Sequence, residues 1–237
     1  AMGVKATPAI IGFGVREGAL ALLDKITGKP SRPLRLLNHL RSQVPPGDPQ
    51  AILSAMDQFA REQRFLMNVG DVKGRILCDA LARSGAGKVL ELGTYCGYSA
   101  ILMASQLGDD GHVDSLEVNP AHAENARAII EHAGLGSRVT VHTGAAGDII
   151  PTLAGPYQLV FIDHWKDRYL PDLQQIEAAQ LILAGSYVVA DNVGMFDASG
   201  YLDHVRDCGR YENTNFEAHM EYSDTVFDAV EVSVMQR

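Results

Sequence analysis

The segment KVLELGTYCGYS, residues 88–99, contains the pattern that decides the fold. Its first half, KVLELG (88–93), is an apolar run of strand length, and apolar residues recur at helical spacing from Ala100 to Leu107. Gly93 and Gly97 lie between the two patterns and allow the backbone to approach a ligand closely at the start of the helix. The segment therefore predicts a strand, a candidate binding loop and a helix.

Strand and helix patterns continue to alternate on the C-terminal side of this segment. Such alternation requires a parallel sheet with right-handed crossovers and helices on both faces. The sequence thus predicts an α/β protein with a Rossmann-like, doubly wound, mostly parallel seven-stranded sheet. The predicted strands are 88–93, 112–118, 138–144, 157–163 and 186–192, with two late strands near 213–218 and 226–235, and the helices between them include 120–133, 171–179 and 197–207.

The first third of the chain is predicted to be helical. Asp48 and Pro49 have the residue types expected at the N-cap and first position of a helix, and apolar residues follow at helical spacing. We expect extra N-terminal helices to pack on one domain spanning residues 34–237. Residues 1–33 are predicted to form an N-terminal arm, with one possible helix across 15–26.

Composition narrows the class of protein and of partner. The formal net charge is −9 and no cluster of Lys and Arg stands out, which argues against a nucleic-acid partner and favours a small, non-anionic substrate. The three cysteines have no paired metal-ligand spacing, so we expect reduced thiols in a cytoplasmic protein. No apolar run approaches the length of a membrane span, so no membrane partner is expected. The expected state is a monomer or weak homodimer.

The loop after the first strand has the form E-x-G-x-x-x-G, from Glu91 to Gly97, and lacks the close glycine pair of the dinucleotide fingerprint. This form favours a nucleoside cofactor without a pyrophosphate, such as S-adenosylmethionine (SAM). Glu117 ends the second strand, where an acidic side chain can accept hydrogen bonds from both ribose hydroxyls. A glycine-rich turn without a ligand, or a dehydrogenase, remains an alternative at this point.

Polar residues also follow the fourth and fifth strands. Asp163 begins the run DHWK (163–166), and Asp191 and Asn192 follow the next strand. Since adjacent parallel strands bring their ends together, these oxygen ligands predict a Mg²⁺ site. Lys166 lies three residues after the first ligand, where a nearby Mg²⁺ would lower its pKa and make it a candidate general base.

Each of these residues also has a simpler explanation. A lysine is usually a solvated surface residue, and Asp-Asn favours a turn after a strand. His164 and Cys96 are better explained by packing or hydrogen bonding than by metal binding or nucleophilic chemistry. Trp165, the only tryptophan, would belong to the core or, as we favour at a strand end, to the wall of a ligand pocket. Their combination at two strand ends beside a cofactor loop favours the functional interpretation.

From about Leu34 onwards, the sequence resembles the catechol O-methyltransferase family. The stretches that carry the resemblance are GDPQ (47–50), MNVGD (67–71), LELGTYCGYSA (90–100), EVNP (117–120), DHWKDRYLPD (163–172) and ADNV (190–193). The resemblance implies Mg²⁺-dependent transfer of a methyl group from SAM to a catechol hydroxyl. Lys166 would take the proton of the reacting hydroxyl, and Glu221 would accept a hydrogen bond from the other one.

The resemblance also implies three sets of site residues. The metal ligands would be Asp163, Asp191 and Asn192. The substrate would contact Phe65, Trp165, Lys166, Asn192, Phe196 and Glu221. The cofactor pocket would comprise Met67, Val69, Glu91, Gly93, Tyr95, Ser99, Glu117, Val118, Gly144, Ala145, Ala146, Gly147, Asp163, His164 and Trp165.

Several positions depart from the family pattern. Ala146-Gly147 replaces a Ser-Gln pair beside adenine, and Phe65 and Phe196 replace a tryptophan and a proline at the substrate mouth. Substrate range is therefore the least transferable property. Three rival classes are weaker. A SAM-binding protein without activity predicts loss of Lys166 or a metal ligand, a nicotinamide-linked enzyme predicts the missing glycine pair, and an RNA methyltransferase predicts a basic surface.

Overall fold

Seven strands form one sheet in the computed structural model, which describes residues 8–236. They are β1 (Lys88–Leu92), β2 (His112–Glu117), β3 (Val139–Thr143), β4 (Leu159–Ile162), β5 (Tyr187–Ala190), β6 (Tyr211–His219) and β7 (Phe227–Met235). Their spatial order is β3-β2-β1-β4-β5-β7-β6. Strands β1 to β5 pair in parallel, whereas β7 is antiparallel to both β5 and β6. The predicted Rossmann-like, mostly parallel sheet is confirmed.

The helices in the described residues include extra N-terminal ones, as predicted. They are α1 (Pro8–Ile26), α2 (Arg32–Gln43), α3 (Pro49–Glu62), α4 (Gly70–Ser84), α5 (Tyr98–Ala104), α6 (Pro120–His132), the single turn α7 (Ala146–Ile149), α8 (Tyr169–Ala178) and α9 (Ser199–Asp207). The Asp48 carboxylate accepts a hydrogen bond from the Ala51 backbone N–H at 3.0 Å, which confirms the predicted N-cap of α3.

The N-terminal arm contains a longer helix than the sequence predicts. Helix α1 begins at Pro8, whereas the pattern predicted helix only from residue 15. The expected boundary between residues 33 and 34 falls in the first turn of α2, and residues 1–7 of the arm lie outside the described residues. Between residues 8 and 236, no helix is both long and apolar enough to cross a lipid bilayer.

Strand β4 shows how the core fills both faces of the sheet. Its residues alternate in direction, as the two-residue period of a strand requires. Leu159 and Phe161 pack into the apolar cluster formed with α2 to α6, whereas Val160 and Ile162 pack into the cluster with α8 and α9. All four side chains are fully buried. Because helices cover both faces, the open edge at the carboxyl ends of the parallel strands is left for ligands.

The carboxyl ends of β1 and β4 approach each other closely at Gly93. The Asp163 backbone N–H donates to the Leu92 carbonyl oxygen at 2.9 Å. A Cβ atom added at Gly93 would lie 2.4 Å from the Asp163 carbonyl oxygen, and the backbone of Gly93 has a φ of +106°. Both the space and the conformation therefore require glycine at this position.

We predict that Gly93→Ala destabilises the fold. The new Cβ must displace backbone that is held by strand pairing, so the free energy of unfolding should fall by about 1–3 kcal/mol or more. Urea denaturation followed by circular dichroism measures the change. Gly87→Ala is the matched control, because an added Cβ there meets nothing within 4 Å. Equal unfolding midpoints for the two variants would contradict the prediction.

Candidate active site

A cavity of ≈ 480 Å³ opens where the carboxyl ends of the parallel strands meet. It is lined by Met67, Asn68, Val69, Gly93, Thr94, Tyr95, Tyr98, Ser99, Leu116, Glu117, Val118, His122, Gly144, Ala145, Ala146, Asp163, His164, Trp165, Lys166, Arg168, Asp172, Asn192, Phe196 and Glu221. Most of the predicted site residues are in this set. Four of them, Phe65, Glu91, Gly147 and Asp191, lie outside it.

Glu117 is fixed at one end of the cavity by the backbone of the neighbouring loops. Its carboxylate oxygens accept hydrogen bonds from the backbone N–H groups of Tyr95 at 2.9 Å and Asn119 at 2.8 Å. The loop bends here through left-handed residues, with a φ of 47° at Tyr95 and 82° at Gly97. The carboxylate is thereby held in one position beside the loop that follows β1, where it can accept further hydrogen bonds from a ligand.

Glu91 lies behind this loop instead of lining the cavity. Its carboxylate is fully buried and accepts hydrogen bonds from the hydroxyls of Ser99 and Ser115. Burial raises the pKa of Glu91 to about 7, although the two serine hydrogen bonds act in the opposite direction. Glu91 therefore stabilises the loop from inside the protein. Ser99, which lines the cavity, connects Glu91 to the cavity surface.

Three large apolar side chains remain exposed where they line the cavity. Met67, Val118 and Trp165 have exposed fractions of 59%, 53% and 58%. Exposed apolar surface of this kind inside a cavity is typical of a binding site for a flat, apolar group. His164 lies beside them with its Nε2 atom 2.8 Å from the Asp172 carboxylate, and burial lowers its pKa, so hydrogen bonding accounts for its position.

Lys166 lies at the opposite end of the cavity among oxygen atoms. Its Nζ atom is 3.6 Å from Asp163 Oδ1 and 3.2 Å from Asn192 Oδ1, and it also donates to the hydroxyl of Tyr169. Its side chain is almost completely buried. Burial lowers the pKa of Lys166, against the opposing effect of Asp163 and Asp191. A surface lysine, the simpler explanation from sequence, does not describe this residue.

Lys73 is a second buried lysine that the sequence analysis did not identify as part of the site. Its Nζ atom lies 2.8 Å from Asp191 Oδ1, 3.0 Å from Glu221 Oε2 and 2.8 Å from Asp228 Oδ2. Burial alone would lower the pKa of Lys73, but the three carboxylates hold it well above its usual value. The sequence carried one signal for a buried lysine. Lys73 lies four residues before Leu77 on the apolar face of helix α4, where a lysine is unusual.

The residues after β5 present oxygen atoms towards Lys166. Asn192 adopts a left-handed conformation with a φ of 55°, and its Nδ2 donates to Asp228 at 2.8 Å. Its Oδ1 therefore faces Lys166. Asp191 Oδ2 is buried without a hydrogen-bond partner among the described residues, and burial together with Asp228 and Glu221 raises the pKa of Asp191 to about 6.

This donor set fits a hard cation. It consists of the carboxylates of Asp163 and Asp191 and the amide oxygen of Asn192, which are oxygen ligands of the type that Mg²⁺ prefers. Within residues 8–236, no group of three or more His, Cys, Asp or Glu side chains is arranged to hold a metal ion. A cation here would therefore require the Asn192 amide as its third ligand.

Two predicted positions lie beside the cavity. Gly147 is next to Arg168, since an added Cβ would lie 3.0 Å from the guanidinium Nη2 atom. Phe65 belongs to an apolar cluster that also contains Phe196, and only Phe196 lines the cavity itself. The predicted roles of these residues in binding stay predictions.

Comparison with known proteins agrees with this architecture. Residues 48–203 match the model of a family described as O-methyltransferase. The chain is 39% identical to catechol O-methyltransferase B of Danio rerio, over 96% of this chain and 90% of the relative, and 39% identical to catechol O-methyltransferase of Mus musculus, over 85% and 78%. Among solved structures, a SAM complex of an O-methyltransferase from Streptomyces achromogenes, involved in tomaymycin synthesis, has a TM-score of 0.67 at 25% identity and covers 88% of this chain and 100% of its own.

The family resemblance found in the sequence motifs is therefore confirmed over most of the chain. The match covers β1 to β5, whose carboxyl ends form the cavity, and the relatives extend it across the late strands. The chain belongs to the O-methyltransferase family.

Proposed function

We propose that this O-methyltransferase transfers the methyl group of SAM to one hydroxyl of a catechol, with Mg²⁺ as metal cofactor and Lys166 as general base. The observation that carries the proposal is the position of Lys166. It is buried in the cavity lining, with Nζ 3.6 Å from Asp163 Oδ1 and 3.2 Å from Asn192 Oδ1. A lysine in this position would contact the acceptor hydroxyl and at the same time lie beside the oxygen ligands of a cation.

The part of the cavity around Glu117 suits the cofactor. The fixed carboxylate of Glu117 can accept hydrogen bonds from both ribose hydroxyls, because each of its oxygens keeps a lone pair beyond the backbone contacts. Trp165, Met67 and Val118 offer apolar surface to the adenine ring. The Streptomyces achromogenes relative, which was solved with SAM, supports the identity of this ligand.

Asp163, Asp191 and Asn192 would hold Mg²⁺, and the bound cation would supply positive charge that favours the ionised form of an acceptor hydroxyl. The protein prepares these ligands in two ways. Asp228 fixes the amide of Asn192 so that its oxygen faces the cavity. Lys73 holds Asp191 through one oxygen and leaves the other without a hydrogen bond in the described residues.

Lys166 would remove the proton from the reacting hydroxyl. A lysine acts as a base only when its amine is neutral, and burial shifts its pKa in that direction. The acceptor oxygen then forms a bond to the methyl carbon while the sulfur of SAM keeps the electron pair of the broken bond. The products are a monomethyl catechol, S-adenosylhomocysteine and a proton on Nζ that is later released to water.

Glu221 would fix the orientation of the second hydroxyl. It lines the cavity and contacts Lys73 at 3.0 Å, which keeps its carboxylate in place. The relatives from Danio rerio and Mus musculus are catechol O-methyltransferases, which supports a catechol as the acceptor class.

We expect chelation of divalent cations to abolish methyl transfer. The proposed ligands Asp163, Asp191 and Asn192 carry no positive charge themselves, so favouring the ionised form of the acceptor hydroxyl would depend on the bound cation. The measurement is the rate of transfer of labelled methyl from SAM to catechol in excess EDTA, followed by addition of Mg²⁺. Full turnover in EDTA would show that no divalent cation takes part.

Lys166→Ala is expected to lower kcat by about 10²- to 10⁴-fold, the usual contribution of a general base. Affinity for S-adenosylhomocysteine, measured by calorimetry, should change little because Lys166 lies at the acceptor end of the cavity. Lys29→Ala, which replaces an exposed lysine, is the control. A Lys166→Ala enzyme with near-normal kcat would refute the assigned role.

Glu117→Ala should act at the other end of the cavity. Loss of charge-assisted hydrogen bonds to ribose should raise the Kd for S-adenosylhomocysteine by roughly tenfold to a hundredfold. Glu124→Ala changes an exposed carboxylate on α6 and serves as the control. Unchanged affinity in calorimetry would place the ribose partner elsewhere.

A further inference from the structure

Helix α1 is attached to the domain through ion pairs in its C-terminal half. Asp24 contacts Arg35 at 2.7 Å and Arg64 at 2.9 Å, and Glu17 contacts Arg32 at 2.9 Å. Arg32 also donates to the backbone carbonyl oxygen of Phe65 at 3.2 Å. The helix is thus connected to the segment that carries Phe65, one of the residues predicted at the substrate mouth.

The N-terminal half of α1 contributes apolar side chains to a cluster beside the active site. This mouth cluster consists of the buried side chains of Met195, Met220 and Val226 with the half-buried side chains of Ile10, Phe13, Phe65 and Phe196. The ring of Phe13 lies edge-on to Phe65 with a centroid distance of 4.7 Å, and Phe65 lies edge-on to Tyr222 at 6.4 Å.

Phe196 connects the mouth cluster to the reacting end of the cavity. Its ring centroid is 5.6 Å from Lys166 Nζ, and its backbone N–H donates to the Asn192 carbonyl oxygen at 3.3 Å. Glu221 lies between Met220 of the cluster and Tyr222. An acceptor whose hydroxyls lie among Lys166, Asn192 and Glu221 would therefore have Phe196, the member of the mouth cluster that lines the cavity, next to the rest of its ring.

Among the described residues, the space beneath α1 shares no lining residue with the active-site cavity. A second cavity of ≈ 330 Å³ is lined in part by Phe13, Phe65, Met220, Tyr222 and Val226, together with arginine and glutamate side chains of α1 and residues 60–65. Arg61 lies over the ring of Tyr222, with its guanidinium carbon 5.2 Å from the ring centroid. Because five charged side chains line this second cavity, the apolar connection from α1 to the active site runs through the mouth cluster.

We infer that helix α1 is part of the acceptor site, and that Phe13 is a positioning residue which, through Phe65 and the mouth cluster, favours catechols with an apolar ring substituent that packs against Phe196. The inference rests on the proposed catechol acceptor. The two faces of α1 differ, as the inference requires. Phe13 packs into the mouth cluster, whereas Val15 is 68% exposed on the outer side.

The test compares 4-phenylcatechol with unsubstituted catechol in the 237-residue chain. For Phe13→Ala, the kcat/KM ratio of the two acceptors should fall by roughly threefold to tenfold, the range expected for loss of one aromatic contact. The fall should lie in KM for 4-phenylcatechol, and KM for unsubstituted catechol should change less. Phe13→Leu should restore part of the ratio, and Val15→Ala, on the outer face of the same helix, should leave it unchanged.

Calorimetry separates this inference from the proposed function. Binding of both acceptors is measured in the presence of S-adenosylhomocysteine and Mg²⁺, and thermal unfolding confirms that each variant is folded. If the wild-type chain binds and methylates neither catechol, the proposed function is wrong, and this inference with it. If it methylates both and Phe13→Ala changes neither the KM ratio nor the binding ratio, only the role of α1 is wrong. Equal losses for both acceptors would likewise overturn it, because they would show a purely structural role.

Discussion

The ammonium group of Lys73 holds four separate parts of the chain together at the active site. It extends from α4 and contacts Asp191 after β5, Glu221 in the segment between β6 and β7, and Asp228 in β7. Three buried carboxylates without a counter-charge would repel one another and would favour protonation. With the ammonium present, Asp191 and Glu221 remain in place, and Asp228 can in turn orient the Asn192 amide.

This arrangement places unlike environments at the two ends of one cavity. Around Glu117, backbone N–H groups fix the carboxylate beside exposed apolar side chains, which suits a nucleoside. Around Lys166, the buried ammonium groups of Lys166 and Lys73 lie among the carboxylates of Asp163 and Asp191, which suits proton removal beside a cation. The close approach of β1 and β4 at Gly93 holds the Asp163 backbone in place beside both regions, since a Cβ at position 93 would clash with it.

Helix α1 attaches the N-terminal region to the mouth cluster beside the active site. Its ion pairs at Asp24 and Glu17 attach α1 to α2 and to the segment before residue 67, so the aromatic end of the helix lies over the mouth cluster. The mouth cluster thus combines residues from the part of the chain that matches the family model with a helix that lies outside that match.

The sequence by itself determined the sheet, its two-sided cover of helices, the glycine-containing loop after β1 and the position of Lys166 near Asp163. These follow from short-range periodicity and spacing and from the rule that parallel strands end at one edge. Only the tertiary structure decided which residues support that edge. Lys73 and Asp228 are far apart in sequence from the groups they hold, and Glu91 and Phe65 belong to predicted motifs yet lie outside the cavity lining. Likewise, the contact between Phe13 and Phe65 joins residues with no common local pattern. Long-range contacts of this kind arise from packing and charge compensation in three dimensions, which the spacing of residues along one chain does not specify.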